Sequence, residues 1–229
     1  MGQPVLVVVA HPDDEVLGCG GAIARHADGG DDVHILILAE GATSRDGRRQ
    51  PGKRRGELQS LAAASRRAAK LLGAKPPRLA NFPDNRLDSV DLLDLVRAVT
   101  VSVEAVKPRI VYTHHGRDLN VDHRLVNQAT LTACRPLPNS PVRAIYTFET
   151  VSATGWNDPH TFAPFRPTRF LDVSAFMDVK RRACECYQAE MRPFPHARSI
   201  EAVEALARWR GATVGLPAAE AFEVIREIA

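Results

Sequence analysis

A run of aliphatic, mostly β-branched residues near the start of the chain, 5–9, is followed after one alanine by the segment 11–15, His-Pro-Asp-Asp-Glu. Such an unbroken apolar run is typical of a strand buried in a parallel sheet. Pro12 fixes its own φ and favours an extended conformation at His11, so the strand is predicted to stop there. Ligands of open α/β sheets bind beyond the carboxyl ends of strands. The segment 11–15 is therefore predicted to lie at a ligand site.

The residue types in this segment are those that bind a divalent metal ion. The imidazole of His11 and the carboxylate of Asp14 lie three residues apart across the predicted turn, so they can converge on one ion. An acidic helix N-terminus, stabilised by the helix dipole, is the alternative explanation. It accounts for Asp13, Asp14 and Glu15 but not for His11. We therefore predict a metal site at the end of the first strand.

A second strand end supplies a further candidate ligand. Residues 109–115 are predicted to form a strand after Pro108, and His123 is predicted to open the next helix. Zinc favours histidine nitrogen and aspartate oxygen, and catalytic zinc sites keep a fourth position for water. The sequence thus predicts a three-ligand site of His11, Asp14 and His123.

The two motifs together resemble those of the PIG-L/LmbE family of zinc-dependent N-deacetylases. They are His-Pro-Asp-Asp-Glu at 11–15 and Asp-Leu-Asn-Val-Asp-His-Arg at 118–124. Shorter supporting segments are similar as well: 41–45, 82–85, 193–199 and 219–222. The resemblance spans nearly the whole chain. It implies hydrolysis of an N-acetyl group on an amino-sugar-containing small molecule, with release of acetate. It also implies one zinc ion per chain, or another divalent metal in its place.

Carried over residue by residue, the resemblance assigns the metal to His11, Asp14 and His123 and makes Asp13 the general base. The chemistry supports this division, because a metal lowers the pKa of bound water and a nearby carboxylate can take its proton. Many family members have a histidine three residues before the last metal ligand. Asn120 occupies that position here, which leaves the oxyanion and leaving-group contacts unassigned.

Three histidines are candidates for those contacts. His114 and His115 end the second strand, and strand alternation lets only one of them readily face the site. His196 lies in a loop flanked by prolines, which can fold over its own pocket or reach that of a neighbouring subunit. We predict that His196 approaches a zinc site, with whichever of His114 and His115 faces the metal as the competing candidate.

Three residues are candidate substrate contacts: Arg54, Asp84 and Asn120. Asp84 matches a family contact to sugar hydroxyls, although an aspartate in a Pro-Asp-Asn turn is an equal alternative. Arg54 resembles an arginine that holds substrate in some members, and Arg55 is the alternative for that position.

Strands and helices are predicted to alternate along the chain, which indicates an α/β, Rossmann-like three-layer fold with a mainly parallel central sheet and helices on both faces. A single domain is predicted over 1–229. The predicted strands are 4–10, 33–39, 78–82, 109–114, 144–150 and 170–174. The predicted helices are 18–29, 54–73, 89–107, 123–134, 175–190, 199–214 and 217–228.

Composition is compatible with an enzyme of this kind. A chain of 229 residues with 45% hydrophobic residues can fill one sizeable α/β core. The net charge of +3 is too small to argue for a nucleic-acid partner. The four cysteines lack zinc-ribbon spacing, and no apolar run approaches membrane-spanning length. We expect a cytoplasmic location, and the resemblance implies a homo-oligomer, a trimer or hexamer.

Two other functions stay open at this point. Gly18, Gly20 and Gly21 after the first strand resemble a dinucleotide-binding turn, but the third glycine is replaced by Ile23 and the carboxylates would repel a pyrophosphate. Bound zinc without NAD would favour the hydrolase. The second alternative is an inactive metal- or sugar-binding module, which Asn120 favours and the presence of Asp13 opposes.

Overall fold

A computed structural model describes residues 2–229, which form seven strands and six α-helices. The strands are β1 (Pro4–Val9), β2 (Asp32–Ala39), β3 (Arg78–Phe82), β4 (Ile110–His114), β5 (Ala144–Phe148), β6 (Arg169–Asp172) and β7 (Ala219–Glu227). The helices are α1 (Asp14–Asp28), α2 (Arg55–Leu71), α3 (Leu92–Val106), α4 (Val121–Ala133), α5 (Met177–Glu185) and α6 (Ile200–Ala212). Among residues 2–229, no helix combines the length and apolarity that crossing a bilayer requires.

All seven strands belong to one sheet, in the order β3-β2-β1-β4-β5-β7-β6. Strands β1 to β5 pair in parallel, whereas β7 pairs antiparallel with both β5 and β6. The chain runs from β1 outward to β3 and then crosses back to place β4 on the other side of β1. The strand order therefore reverses between β1 and β4, which is where open α/β sheets bind their ligands.

The first strand explains the three layers. Successive side chains of a strand point to opposite faces, and those of β1 divide accordingly. Val5, Val7 and Val9 pack in one cluster with residues of α1, α2 and α5. Leu6 and Val8 pack in the other cluster with residues of α3 and α4. The predicted α/β fold, with a mainly parallel sheet and helices on both faces, is confirmed.

The glycines of α1 serve close packing of the helix on the sheet. A Cβ atom added at Gly18 would lie 2.2 Å from the ring of Phe148 on β5, and one at Gly21 would lie 2.8 Å from Val173. The helix begins at Asp14, earlier than predicted, and its backbone leaves helical geometry at Cys19. The glycines are thus accounted for by contacts with neighbouring elements rather than by a bound dinucleotide.

The predicted helix 217–228 is wrong, because this segment forms strand β7. Its alanines and glutamates favour a helix when considered alone. In the folded chain Phe222 is fully buried and lies opposite Phe148 on β5 and Arg169 on β6. Pairing with two strands that are distant in sequence overrides the local helix propensity.

Candidate active site

The turn after β1 is held by its own side chains. Asp13 is the N-cap of α1 and has φ 117°, in the left-handed region, where a residue other than glycine is strained. The backbone N–H of His11 donates to Asp14 Oδ2 at 2.8 Å, and that of Asp13 donates to Glu15 Oε2 at 3.1 Å. The carboxylates of the segment thus fix the unusual backbone that brings Asp13 and Asp14 to the end of β1.

The structure brings together the three predicted metal ligands. His11, Asp14 and His123 are buried, and one ligand atom from each lies within 4.8 Å of the others. Asp14 Oδ2 is 3.3 Å from His11 Nδ1 and 3.3 Å from His123 Nε2. Within residues 2–229, Asp14 Oδ1 and His123 Nε2 have no hydrogen-bond partner although both are buried. Two imidazoles and a carboxylate that converge in this way, with unpaired atoms on Asp14 and His123, fit a zinc-like divalent ion.

The electrostatics of this triad keep its carboxylate ionised. Burial would raise the pKa of Asp14, but the charge of His123 and the hydrogen bonds from His11 and His123 hold it well below its usual range. Burial also opposes protonation of His123, yet Asp14 and Asp118 raise the pKa of His123 to about 9. The site therefore holds a buried negative charge for which cations compete, whether protons or a metal ion.

Each imidazole of the triad has a further carboxylate behind it. His11 Nε2 lies 3.0 Å from Asp122 Oδ2, and His123 Nδ1 lies 3.3 Å from Asp118 Oδ1. Asp118 in turn accepts a hydrogen bond from the hydroxyl of Thr154 at 2.5 Å. Carboxylates of this kind orient metal-binding histidines. Sequence reasoning included both aspartates in a motif but gave them no role. The sequence feature that could have indicated this role is the presence of two acidic residues close to His123 within the motif 118–124.

Asp13 lies beside the triad in a different environment. Its Oδ2 accepts a hydrogen bond from Arg198 Nη1 at 3.0 Å, while its buried Oδ1 has no partner within residues 2–229. Burial raises the pKa of Asp13, Arg198 acts in the opposite direction, and the neighbouring Asp14 and Glu15 reinforce the rise. Sequence reasoning missed Arg198. It lies in the motif 193–199, where only His196 was considered.

The two strand-end histidines point in opposite directions, as alternation predicts. The ring of His114 stacks on that of His123 at 3.8 Å between centroids, and its Nε2 accepts from the N–H of Ala10 at 2.9 Å. Burial and the charge of His123 lower the pKa of His114 to about 3, so this ring is neutral. His115 turns away, with Nδ1 at 2.7 Å from Glu223. His114 is thus the member of the pair that faces the triad.

His196 borders the site through its neighbours. Its Nδ1 accepts from the N–H of Arg198 at 2.9 Å, and its ring meets that of Trp156 edge to face at 5.7 Å. Arg198 also contacts Asp13, which lies beside the triad. His196 is therefore linked to Asp13 through Arg198. The part of the chain that the structure describes shows no hydrogen bond from His196 to the triad itself.

One predicted substrate contact, Asp84, lies next to the triad, and a second, Asn120, is bonded to Asp122 behind His11. Asp84 Oδ1 is 3.5 Å from His11 Nε2, and Asp84 Oδ2 accepts from the N–H and the hydroxyl of Ser44 at 3.0 and 2.5 Å. Asn120 is the N-cap of α4, where its side-chain oxygen accepts from the N–H of Asp122 at 2.9 Å. Asparagine is well suited to that capping position, which gives a structural reason for the departure from the family's histidine.

Arg54 is engaged within its own segment. Its guanidinium donates to both carboxylate oxygens of Asp46 at 2.9 Å and to Glu57 at 2.6 Å. The alternative, Arg55, is the exposed first residue of α2. The structure therefore does not place Arg54 in contact with the triad, unlike Asp84.

Comparison with known proteins adds to this geometry. The profile of the family described as "PIG-L: GlcNAc-PI de-N-acetylase" matches residues 6–134. An uncharacterized deacetylase of Escherichia coli, YaiS, is 30% identical, with 81% of this chain and 90% of that protein covered. The diacetylchitobiose deacetylase of Thermococcus kodakarensis is 27% identical, with 82% and 70% covered. In fold, the chain is similar to the 4-carboxy-2-hydroxymuconate hydratase GalB of Pseudomonas putida. That match has TM-score 0.76 and 22% identity, and it covers 99% of this chain and 98% of the hydratase.

Proposed function

This chain belongs to the PIG-L family of de-N-acetylases, and we propose that it hydrolyses the N-acetyl group of an amino-sugar-containing small molecule, releasing acetate. One observation carries the proposal. Within residues 2–229, a buried His-Asp-His triad with unpaired atoms on Asp14 and His123 lies beside a second carboxylate, Asp13, whose Oδ1 has no hydrogen-bond partner. Deacetylase relatives that act on amino sugars, including one for diacetylchitobiose, support the substrate class.

His11, Asp14 and His123 would hold one zinc ion per chain, or another divalent metal. When bound, the ion supplies Lewis-acid chemistry, which makes water more acidic and polarises the amide carbonyl. Asp122 is hydrogen-bonded to His11, and Asp118 lies 3.3 Å from His123, so these carboxylates would orient the two imidazoles before an ion binds. The triad would then need little rearrangement on binding.

Asp13 is the general base of the proposed reaction. Its Oδ1 accepts a proton from the attacking water, while Oδ2 stays on Arg198. The protonated carboxyl can afterwards return that proton to the leaving amine, which must gain one to depart. For the further contact to the oxyanion or the leaving group, His196 remains our prediction. His114 is the competing residue, and its Nε2 is already occupied by the N–H of Ala10.

The sugar would be held beside the residues that follow β3. Asp84 offers its carboxylate there, close to His11, and Asn120 lies nearby with its side-chain amide on Asn85 at 3.0 Å. Arg54 would reach a substrate only by giving up contacts to Asp46 and Glu57, so we rank it below Asp84. Carboxylate oxygens accept hydrogen bonds and amides both donate and accept them, so these side chains favour a ligand rich in hydroxyl groups.

Assembly and location are separate predictions. A homo-oligomer, a trimer or hexamer, is what the family resemblance implies, and light scattering of the purified protein would measure it. The predicted cytoplasmic location needs fractionation of cells that express the chain.

Acetate release tests the proposed function directly. The zinc-loaded protein should release acetate from at least one of N-acetylglucosamine, N,N′-diacetylchitobiose and a nucleotide-linked N-acetylglucosamine. Asp13→Asn should keep the metal and lose at least about a hundredfold in turnover, the lower range of a general-base contribution. Hydration of 4-carboxy-2-hydroxymuconate without acetate release from any of these sugars would contradict the proposal. A variant Asp13→Asn with normal turnover would remove Asp13 as the base.

A further inference from the structure

The guanidinium of Arg198 is fixed against the proposed general base from several sides. Its Nη1 donates to Asp13 Oδ2 at 3.0 Å, and its Nε donates to the hydroxyl of Ser152 at 2.9 Å. Glu190 Oε2 lies 3.7 Å from the same Nη1. Three parts of the chain meet at this side chain: the start of α1, the turn after β5 and the segment after α5.

The backbone around Arg198 is equally constrained. Its N–H donates to His196 Nδ1 at 2.9 Å, and its carbonyl accepts from the N–H of Arg192 at 3.2 Å. The next residue, Ser199, is fully buried and caps α6 by accepting from the N–H of Ala202 at 3.0 Å. The position of Arg198 is therefore determined by the fold on both sides of the residue.

These contacts divide the two oxygens of Asp13 between different tasks. Oδ2 is bound to Arg198, whereas Oδ1 is buried and has no partner in the range 2–229. The terminal torsion of an aspartate is broad and nearly two-fold, so an unrestrained carboxylate would exchange its oxygens. A hydrogen bond between two charged groups is short and directional, and it can hold the carboxylate in one orientation.

We propose that Arg198 is a positioning residue that holds Asp13 Oδ2 so that Oδ1 alone is presented to the attacking water. This inference rests on the proposed function for its kinetic consequence. Arginine stays protonated in proteins, so Arg198 does not itself transfer a proton. Its part is geometric, and a small misplacement of a reacting group can lower turnover by about a hundredfold.

Steady-state kinetics of the zinc-loaded enzyme test the role. Arg198→Met keeps an unbranched apolar side chain similar to the aliphatic part of arginine but cannot donate, and should lower kcat by about 10- to 100-fold. KM and zinc stoichiometry should stay within about twofold, because the metal ligands and Asp84 are untouched. Arg198→Lys, which keeps the positive charge but lacks the fixed fork of guanidinium donors, should recover part of the loss. A kcat for Arg198→Met within threefold of wild type would overturn the proposal.

Arg192→Met is the matched control in the same segment. The guanidinium of Arg192 donates to the backbone carbonyls of Ala189 and Met191 at 2.7 and 2.8 Å, outside the site. This variant should retain wild-type kcat and KM. Equal losses in both variants would mean that the loop as a whole, rather than the contact with Asp13, determines turnover, and would also overturn the proposal.

Crystal structures of wild type and Arg198→Met provide a readout that does not depend on acetate release. The carboxylate of Asp13 should have one orientation in wild type and more than one in the variant. A single unchanged orientation in the variant would overturn the positioning role. A wild-type protein that is inactive on every N-acetyl sugar would contradict the proposed function alone, so the two failures can be told apart.

Discussion

Two carboxylates that are neighbours in sequence have opposite surroundings in this molecule. Asp14 faces the imidazoles of His11 and His123, which hold its pKa well below its usual range. Asp13 is buried among other carboxylates, and burial raises its pKa despite the contact with Arg198. Environments that push the pKa values of paired groups apart commonly separate their chemical roles. This contrast supports Asp14 as metal ligand and Asp13 as base.

The metal site can be tested at a single residue. His123→Ala should lose zinc and acetate release together, because it removes one of three ligands and leaves Asp14 with a single imidazole. Zinc stoichiometry by elemental analysis is the measurement. The control is His34→Ala, since His34 pairs with Asp32 at 2.9 Å near the start of β2, at the opposite end of the strand from the site. Full zinc occupancy in His123→Ala would exclude His123 as a ligand.

The remaining catalytic contact is also a prediction about single residues. His196→Ala should lower kcat by about a hundredfold with zinc retained, a typical loss for one oxyanion donor. His114→Ala should instead lower zinc occupancy, because the ring of His114 stacks on that of His123. Unchanged turnover in His196→Ala would refute the role of this loop histidine. A loss confined to His115→Ala would be equally inconsistent, given its contact with Glu223.

At the scale of elements, a side chain of β7 stabilises the break within helix α1. Helix α1 leaves helical geometry at Cys19, and the N–H groups of Gly21 and Ala22 beyond that point both donate to Glu220 at 2.7 Å. Lys180 of α5 donates to the same carboxylate at 2.6 Å, and both residues are buried. The break at Cys19 leaves these N–H groups without helical acceptors. A carboxylate beside them is favourable for the same reason as at a helix N-terminus, where the helix dipole attracts negative charge. The strand thereby supports the helix that begins at the proposed metal site.

This arrangement predicts a large effect on stability. Glu220→Ala leaves the ammonium of Lys180 buried without its partner, so the free energy of unfolding should fall by about 3–5 kcal/mol. Denaturant unfolding measures the change. The matched control is Glu204→Ala, because Glu204 pairs with the exposed Arg208 at 3.4 Å and should cost less than about 1 kcal/mol. Equal losses in the two variants would contradict the role assigned to Glu220.

At the scale of the whole molecule, the site lies where the strand order reverses. His11 follows β1, and His123 lies in the first turn of α4 after β4, a strand that pairs directly with β1. Helices on both faces bury the sheet, while the carboxyl ends of its strands stay free to carry loops. The site is therefore assembled from segments far apart in sequence, and a bound ion would connect them only in the folded state.

Metal binding should consequently raise thermal stability. An ion that binds only the folded protein stabilises it by about 2.7 kcal/mol at a hundredfold excess over its Kd. For a chain of this size that corresponds to a rise in Tm of about 5–10 °C. Calorimetry of chelator-treated protein, with and without added zinc, measures the shift. His123→Ala should show no response to zinc, and an equal Tm in the two wild-type samples would contradict the prediction.

The sequence by itself determined the α/β class and the two segments that meet at the site. Apolar runs and helical periodicity are local signals from which strands and helices can be predicted. In a parallel sheet the carboxyl ends of the predicted strands lie at the same edge, where ligands bind. That is why His11, Asp14 and His123 could be brought into one hypothesis from spacing and residue type alone. Strand alternation also predicted that one of His114 and His115 would face the site.

Only the tertiary structure decided that β7 is a strand, that His114 is the inward histidine and that Arg198 meets Asp13. The segment 219–227 has residues that suit a helix, and its partners β5 and β6 are supplied by the folded sheet. Arg198 contacts a residue 185 positions away, and no local pattern encodes such a distance. Each of these outcomes depends on long-range packing and pairing, whose free energy exists only once the distant segments have come together.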